Sequence, residues 1–319
     1  MMRLYALGGQ AWGAALAAQL GQPLAPHEER VFEDGECKLR PLTDPRGDDA
    51  YVIASLHGGP DGSPHDKLCR LLMFVSTLRD HGAARVTAVV PYLAYARKDR
   101  RTKPFDPVTL RYVAQWLEAA GTDQLIVLEA HNVAALENAL RRPTWHLAAH
   151  VLFDPLAGEL AGSSPLVVAS PDPGGVKRAQ LWRESLEERL RRPVGFAMVD
   201  KRRSAGVVSS DRLVAGDVAG AAVLLLDDLI ASGETMQRAA AALRDAGARE
   251  VSVFAAHGLF IGAAASALAD PAIARVVVSD SVPPLRLPAD AAVRAKLQIV
   301  PAAPLFAQAI RDSHAAWRR

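Results

Sequence analysis

The feature that most constrains the fold is a pattern written twice. Residues 78–93 run from Leu78-Arg79-Asp80 through Gly82 into an apolar stretch that begins at Val86. Residues 243–258 repeat that order with Leu243-Arg244-Asp245, Gly247 and an apolar stretch that begins at Val251. Each reads as the end of a helix, a glycine at the C-cap, and a buried strand. The flanks agree. Residues 223–226 form a short apolar strand, a tight turn follows, and 236–243 has helical spacing. In the first half 51–54 and 67–78 play those parts, joined by a longer Gly/Pro-rich segment. A further pair of strands is predicted at 125–128 and 275–278. Strands that are continuous apolar runs and alternate with helices belong to parallel sheets covered on both faces. The pattern therefore predicts an α/β chain of two tandem domains, each a doubly wound, mostly parallel sheet flanked by helices. The division falls at 1–146 and 147–319, and the last helix can pack back on the first domain. Ligands of such sheets bind beyond the carboxyl ends of the strands.

Composition removes several classes. The 37 Lys and Arg against 35 Asp and Glu leave a net charge of +2, without the basic surplus of a nucleic-acid binder. Two cysteines, Cys37 and Cys69, without a CxxC spacing argue against a disulfide scaffold or structural zinc. No apolar run is long enough for a membrane span, and the first residues lack the apolar core of a signal peptide. A cytoplasmic protein with no membrane partner is expected.

Six segments at predicted strand ends or turns carry chemistry. After 223–226 come Asp227 and Asp228, then Ala231, Ser232, Gly233, Glu234 and Thr235 at the start of a helix. Exposed N–H groups there favour a phosphate, with the hydroxyls of Ser232 and Thr235 as further donors. The two aspartates suit the hydroxyls of a ribose ring or a bound metal. Ser170-Pro171-Asp172-Pro173-Gly174-Gly175 places a carboxylate for Mg²⁺, or for water in its shell, before a glycine pair. Asp200-Lys201-Arg202-Arg203 looks like the base of a mobile loop whose cations neutralise transition-state charge. Tyr95 to Arg101 is a basic loop suited to polyphosphate, and Glu129-Ala130-His131 can hold metal or phosphate. In Phe32-Glu33-Asp34-Gly35-Glu36 an aromatic ring beside acids can stack a base and accept from its amine.

In this order the segments resemble those of the ribose-phosphate diphosphokinases, the phosphoribosyl diphosphate synthetases. The resemblance runs from about Phe32 to Gly262. It implies two phosphoribosyltransferase-like domains that transfer the diphosphoryl group of ATP to the C1 hydroxyl of ribose 5-phosphate. It further implies that Phe32, Asp34 and Glu36 hold the adenine of ATP bound mainly by a neighbouring subunit. Arg97, Lys98 and His131 would contact the nucleotide, and His131 and Asp172 would serve Mg²⁺. Lys201 and Arg203 would stabilise the transition state, and Asp227, Asp228 and the turn from Ala231 to Thr235 would bind ribose 5-phosphate. Assembly into a dimer-based homo-oligomer, a hexamer, is implied as well. Three positions depart from the family pattern: Lys98 stands for the common Gln, Glu129 for Asp, and Ala231 for a third Asp of the sugar-phosphate turn. These departures leave room for a non-catalytic regulatory paralogue or a phosphoribosyltransferase.

Overall fold

The repeated apolar runs become central strands of two sheets. The structure, a computed structural model, describes residues 1–8, 10–162, 164–204 and 207–318; the side chains of residues 10, 161 and 201–212 lie outside that description. The chain runs β1 (Met2–Ala6), α1 (Gln10–Leu20), β2 (His27–Val31), β3 (Cys37–Pro41), β4 (Asp49–Ile53), α2 (Pro64–Asp80), β5 (Arg85–Val90) and α3 (Thr109–Ala119). It continues with β6 (Gln124–Leu128), α4 (Val133–Ala139), β7 (Thr144–Leu147), α5 (His150–Ala161), β8 (Leu166–Ser170), α6 (Val176–Leu190), β9 (Gly195–Ser204) and β10 (Val207–Ala215). The last elements are β11 (Ala222–Ile230), α7 (Glu234–Asp245), β12 (Glu250–Gly258), α8 (Ala264–Leu268), β13 (Arg275–Ser279), β14 (Leu297–Val300) and α9 (Ala303–Trp317).

Two compact units result. The first is Met1–Ala148 with Ala302–Arg319, and the second is Ala149–Pro301. The first unit's sheet has the order β1-β4-β5-β6-β7 with every pair parallel, and β2 and β3 form a separate antiparallel hairpin. The second unit's sheet has the order β10-β9-β8-β11-β12-β13-β14, parallel except where β10 runs against β9. The expected α/β class with mostly parallel sheets is what the chain forms.

The local reasons are plain in the sequence. Every residue of β4, β6 and β8 is buried, as continuous apolar strands covered on both faces require. Helix α7 buries Met236, Ala239, Ala240 and Leu243, a 0-3-4-7 spacing that forms one stripe toward the sheet. Helix α2 does the same with Leu68, Leu71, Phe74, Val75 and Leu78. Each such large side chain contributes about 1.5–3 kcal/mol by leaving water. Both helices stop where the backbone turns left-handed, at Gly82 (φ 83°) and Gly247 (φ 95°).

Two segments differ from the sequence expectation. Strand β11 does not stop at Leu226. It stays paired with β12 through Asp227↔Ala255, Leu229↔His257 and Ile230↔Gly258. Acidic residues interrupt the apolar run but not the backbone ladder. The backbone of Asp200 to Ser204 lies on β9 in antiparallel pairing with β10, where a loop was expected.

Candidate active site

In the second unit the end of β11 gathers charge. Asp228 is buried, and the Asp227 side chain is 21% exposed. The Asp228 N–H donates to Asp227 Oδ1 at 2.8 Å. Burial, then the charge and hydrogen bond of Asp228, push the Asp227 carboxyl well above the ordinary carboxylate range. The Arg178 guanidinium opposes that rise. Its Nη1 lies 3.6 Å from Asp227 Oδ1 and 3.9 Å from Asp228 Oδ1, and the side chain is 13% exposed.

Beyond the pair the chain turns into α7. Gly233 sits at its N-cap with φ 77°, a residue with no side chain to cap the first turn. The orphan N–H groups of that turn are thus left for an anion. Glu234 is drawn to Arg238 one turn along, at 3.3 Å. The turn is held from outside: Leu259 N–H donates to Ile230 O at 2.9 Å, and Ile261 N–H donates to Ala231 O at 2.9 Å. A Cβ on Gly233 would come within 3.0 Å of Leu268 Cγ and 3.4 Å of Ala267 Cβ. Ser232 and Thr235 are half-buried on this turn.

Next to β11 in the sheet, β8 ends in the Asp172 turn. Asp172 Oδ1 accepts from Gly174 N–H at 2.8 Å and Gly175 N–H at 3.3 Å, which caps a short 3-10 turn. Those bonds use one carboxylate oxygen. Among the described residues no three His, Cys, Asp or Glu side chains converge on a metal position. This donor set fits Mg²⁺ carried by a polyphosphate. Such an ion keeps waters and phosphate oxygens and takes only one or two protein carboxylates. Lys201 and Arg203 fall on β9, and their side chains lie outside the described residues.

The first unit holds the other segments. The basic loop after β5 is organised by Asp106. Its Oδ2 accepts from Lys98 Nζ at 2.5 Å, Thr102 Oγ1 at 2.8 Å, and the N–H groups of Thr102 and Lys103 at 3.0 Å each. The Lys98 bond foremost, then those of Thr102 and Lys103, hold the Asp106 carboxyl well below the usual range. Arg97 is exposed on the same loop, and Tyr95 carries a left-handed backbone, φ 65°. At the end of β6, Glu129 is buried with φ 40°, and His131 is exposed. In the β2–β3 turn Phe32 N–H donates to Glu36 O, Glu36 N–H donates to Asp34 Oδ1, and the Arg30 guanidinium covers the Phe32 ring at 4.8 Å. Asp34 and Glu36 are exposed.

Comparison with known proteins now bears on this arrangement. A family model described as the N-terminal domain of ribose phosphate pyrophosphokinase matches residues 8–121, and one described as the phosphoribosyl synthetase-associated domain matches 210–317. A ribose-phosphate pyrophosphokinase of Hyphomonas neptunium is 33% identical over 299 residues, 93% of this chain and 91% of that protein. One from Bradyrhizobium diazoefficiens is 35% identical over 297 residues, covering 93% and 89%. The crystal structure of phosphoribosylpyrophosphate synthetase from Mycobacterium smegmatis superposes with a TM-score of 0.86 at 30% identity, covering 99% of both chains. The chain belongs to the ribose-phosphate pyrophosphokinase family.

The three positions expected to depart from the family pattern, Lys98, Glu129 and Ala231, have these surroundings. Lys98 is engaged inside its own loop by Asp106 and Thr102. Its ammonium braces the loop as well as charging it. Glu129 occupies a left-handed position that costs a non-glycine residue on the order of 1–3 kcal/mol, and its carboxylate lies 4.0 Å from His146 Nε2. At Ala231 the methyl side chain has no hydrogen-bonding group, and the backbone carbonyl accepts from Ile261 N–H at 2.9 Å. Sequence reasoning did not single out Arg178. The available signal was a cation three residues past the Gly174-Gly175 pair, on the first turn of α6.

Proposed function

We propose that this pyrophosphokinase-family chain catalyses Mg²⁺-dependent transfer of the diphosphoryl group of ATP to the C1 hydroxyl of ribose 5-phosphate, giving phosphoribosyl diphosphate and AMP. The hydroxyl oxygen attacks the β-phosphorus and gives up its proton to water, the bond from that phosphorus to the α,β-bridging oxygen breaks, and AMP leaves with that oxygen. The observation that carries the site assignment is a helix N-terminus with a glycine at its N-cap directly beyond an acidic pair of which Asp228 is buried and Asp227 partly exposed. The corresponding helix of the first unit, α2, is closed by its own Ser63 and Asp66 capping box. That contrast supports placing the sugar phosphate on the second unit.

The N–H groups of the 231–235 turn, with Ser232 and Thr235, bind the 5-phosphate. Asp227 and Asp228 accept from ribose hydroxyls and orient C1. Phosphoryl-type transfer asks the protein for positioning and charge neutralisation, not covalent chemistry. Arg97, Lys98 and His131 contact the nucleotide, and Lys201 and Arg203 offset charge in the transition state. Asp172 and His131 would hold Mg²⁺, which supplies further neutralisation of the diphosphate. Phe32, Asp34 and Glu36 hold the adenine of a neighbouring subunit's ATP in a hexamer built from dimers; light scattering on the purified chain checks that assembly. Among the described residues no helix is long and apolar enough to cross a membrane.

An assay of AMP release with ATP, Mg²⁺ and ribose 5-phosphate tests the reaction. AMP formed one-for-one with phosphoribosyl diphosphate is the expected result. No turnover at saturating substrates overturns it, and co-purification of the inactive chain with an active synthetase favours a regulatory role. Gly233→Ala tests the phosphate turn. The left-handed backbone penalises a Cβ by about 1–2 kcal/mol, and Leu268 must also give way. The KM for ribose 5-phosphate is expected to rise about tenfold or more, with the KM for ATP unchanged.

A further inference from the structure

The two first-unit segments assigned to the nucleotide come from different parts of the sheet. Arg97 and Lys98 lie on the loop after β5, and His131 lies between β6 and α4. A side-chain bond joins them. Asn132 Nδ2 donates to Asp99 Oδ2 at 2.7 Å. The same Asn132 caps α4, its Oδ1 accepting from Ala135 N–H at 3.1 Å. The amide thus divides its two ends between a helix and a loop. It fixes Asp99, next to Lys98, relative to the residue beside His131.

The rest of the loop is held elsewhere. At its start the Tyr95 hydroxyl meets His65 Nδ1, on the first turn of α2, at 2.5 Å. At its end Asp106 gathers Lys98, Thr102 and Lys103. Between those anchors Leu110 N–H donates to Lys98 O at 3.2 Å and Arg101 Nε donates to Asp106 O at 3.2 Å, and Asp99 adds the tie to the sheet's next strand end. A loop that bears several like charges, Arg97, Lys98, Arg100 and Arg101, repels itself and spreads unless pinned. A pinned loop has less ordering left to do when a polyphosphate arrives.

We propose that Asn132 is a positioning residue for ATP: its bond to Asp99 sets the distance between the Arg97–Lys98 loop and His131. The inference rests on the nucleotide reading of that loop, so the test carries a separate control for it. Binding of Mg²⁺ with α,β-methylene ATP, an analogue whose α,β-bond is not cleaved, is measured by calorimetry on the full chain. Arg97→Ala is the control. Asn132→Ser keeps a good helix cap but is too short to reach Asp99. Asn132→Asp keeps the cap and sets two carboxylates against each other. The double variant Asp99→Asn with Asn132→Asp restores the bond with its ends exchanged.

Asn132→Ser is expected to weaken analogue binding about tenfold and Asn132→Asp by at least as much. The exchanged pair should return to within about twofold of the wild type. In turnover the loss appears in the KM for ATP and not in the KM for ribose 5-phosphate. Wild-type affinity in Asn132→Ser, or an exchanged pair no better than Asn132→Asp, overturns the tether while Arg97→Ala remains weak. If Arg97→Ala binds as well as the wild type, the nucleotide reading of the loop fails and the tether's role falls with it.

Discussion

Asp49→Ala is expected to destabilise the first unit by about 3–5 kcal/mol, the cost of leaving one partner of a buried ion pair alone. Asp49 is wholly buried at the start of β4. Its Oδ1 accepts from Arg85 Nε at 2.7 Å, and its Oδ2 accepts from Arg85 Nη2 at 2.8 Å and the Tyr51 hydroxyl at 2.9 Å. His314 Nδ1 lies 2.6 Å from the same Oδ2. Arg85 also donates to Ser313 O at 3.3 Å, and the Ser313 hydroxyl donates to Gln124 at 2.5 Å. Thus one carboxylate organises β4, β5 and α9, whose residues are about 265 positions away in the chain. Alanine removes four bonds and strands a guanidinium that is only 14% exposed. Urea unfolding followed by fluorescence checks the loss. Adding Arg85→Met removes the stranded charge, so the double variant should be more stable than Asp49→Ala alone. A loss below about 1 kcal/mol would show that water reaches Arg85 in place of the carboxylate.

That network marks where sequence reasoning ends. Continuous apolar runs with helical segments between them were sufficient for the α/β class and the parallel sheets, because both follow from local burial patterns. The ladder beyond Leu226 was not legible, since Asp227 and Asp228 look like a strand end when only hydropathy is read. The pairing of Asp49 with Arg85 and His314 was not legible either. Nothing at position 49 points to position 314, and a single buried Asp on a strand has no spacing signature.

The site was legible to a different degree at different residues. The order of the acidic pair, small residues and helix start gave the 227–235 turn from chemistry alone. Arg178 escaped because its significance is spatial: α6 brings it back over the end of β11. Lys98 read as one more cation of a basic loop, yet its ammonium is taken by Asp106, eight residues on. Short-range ion pairs of this kind cannot be ranked from sequence when residues 97–106 offer five cations and two acids. Asn132 was passed over because a residue after a candidate ligand reads simply as a helix cap.

Asp227→Asn is expected to make the protein more stable and nearly inactive. In the folded chain Asp227 takes up a proton more readily than an ordinary carboxyl, because burial and then Asp228 disfavour its charge. The unfolded chain binds that proton more weakly. Stability from this group is therefore greatest at low pH and is lost as pH rises from the ordinary carboxylate range through the raised folded value. At neutral pH the ionised pair is a standing cost, only partly offset by Arg178. Asparagine keeps the Oδ1 that accepts from Asp228 N–H and can donate its amide to the Asp228 carboxylate. The gain is on the order of 1–2 kcal/mol, the scale of relieving a partly compensated like-charge contact, which corresponds to about 2–6 °C in Tm. Catalysis moves the other way. A neutral amide accepts ribose hydroxyls less strongly and places an N–H where an acceptor is needed, so kcat/KM for ribose 5-phosphate should fall about 100-fold or more. The wild-type rate should decline on acidification at a pH above the usual carboxylate range, as Asp227 takes its proton. Thermal scans at pH 5 and pH 8 separate the two effects. The stability difference between variant and wild type should be larger at pH 8, and a difference that grows toward pH 5 would reverse the assigned sign.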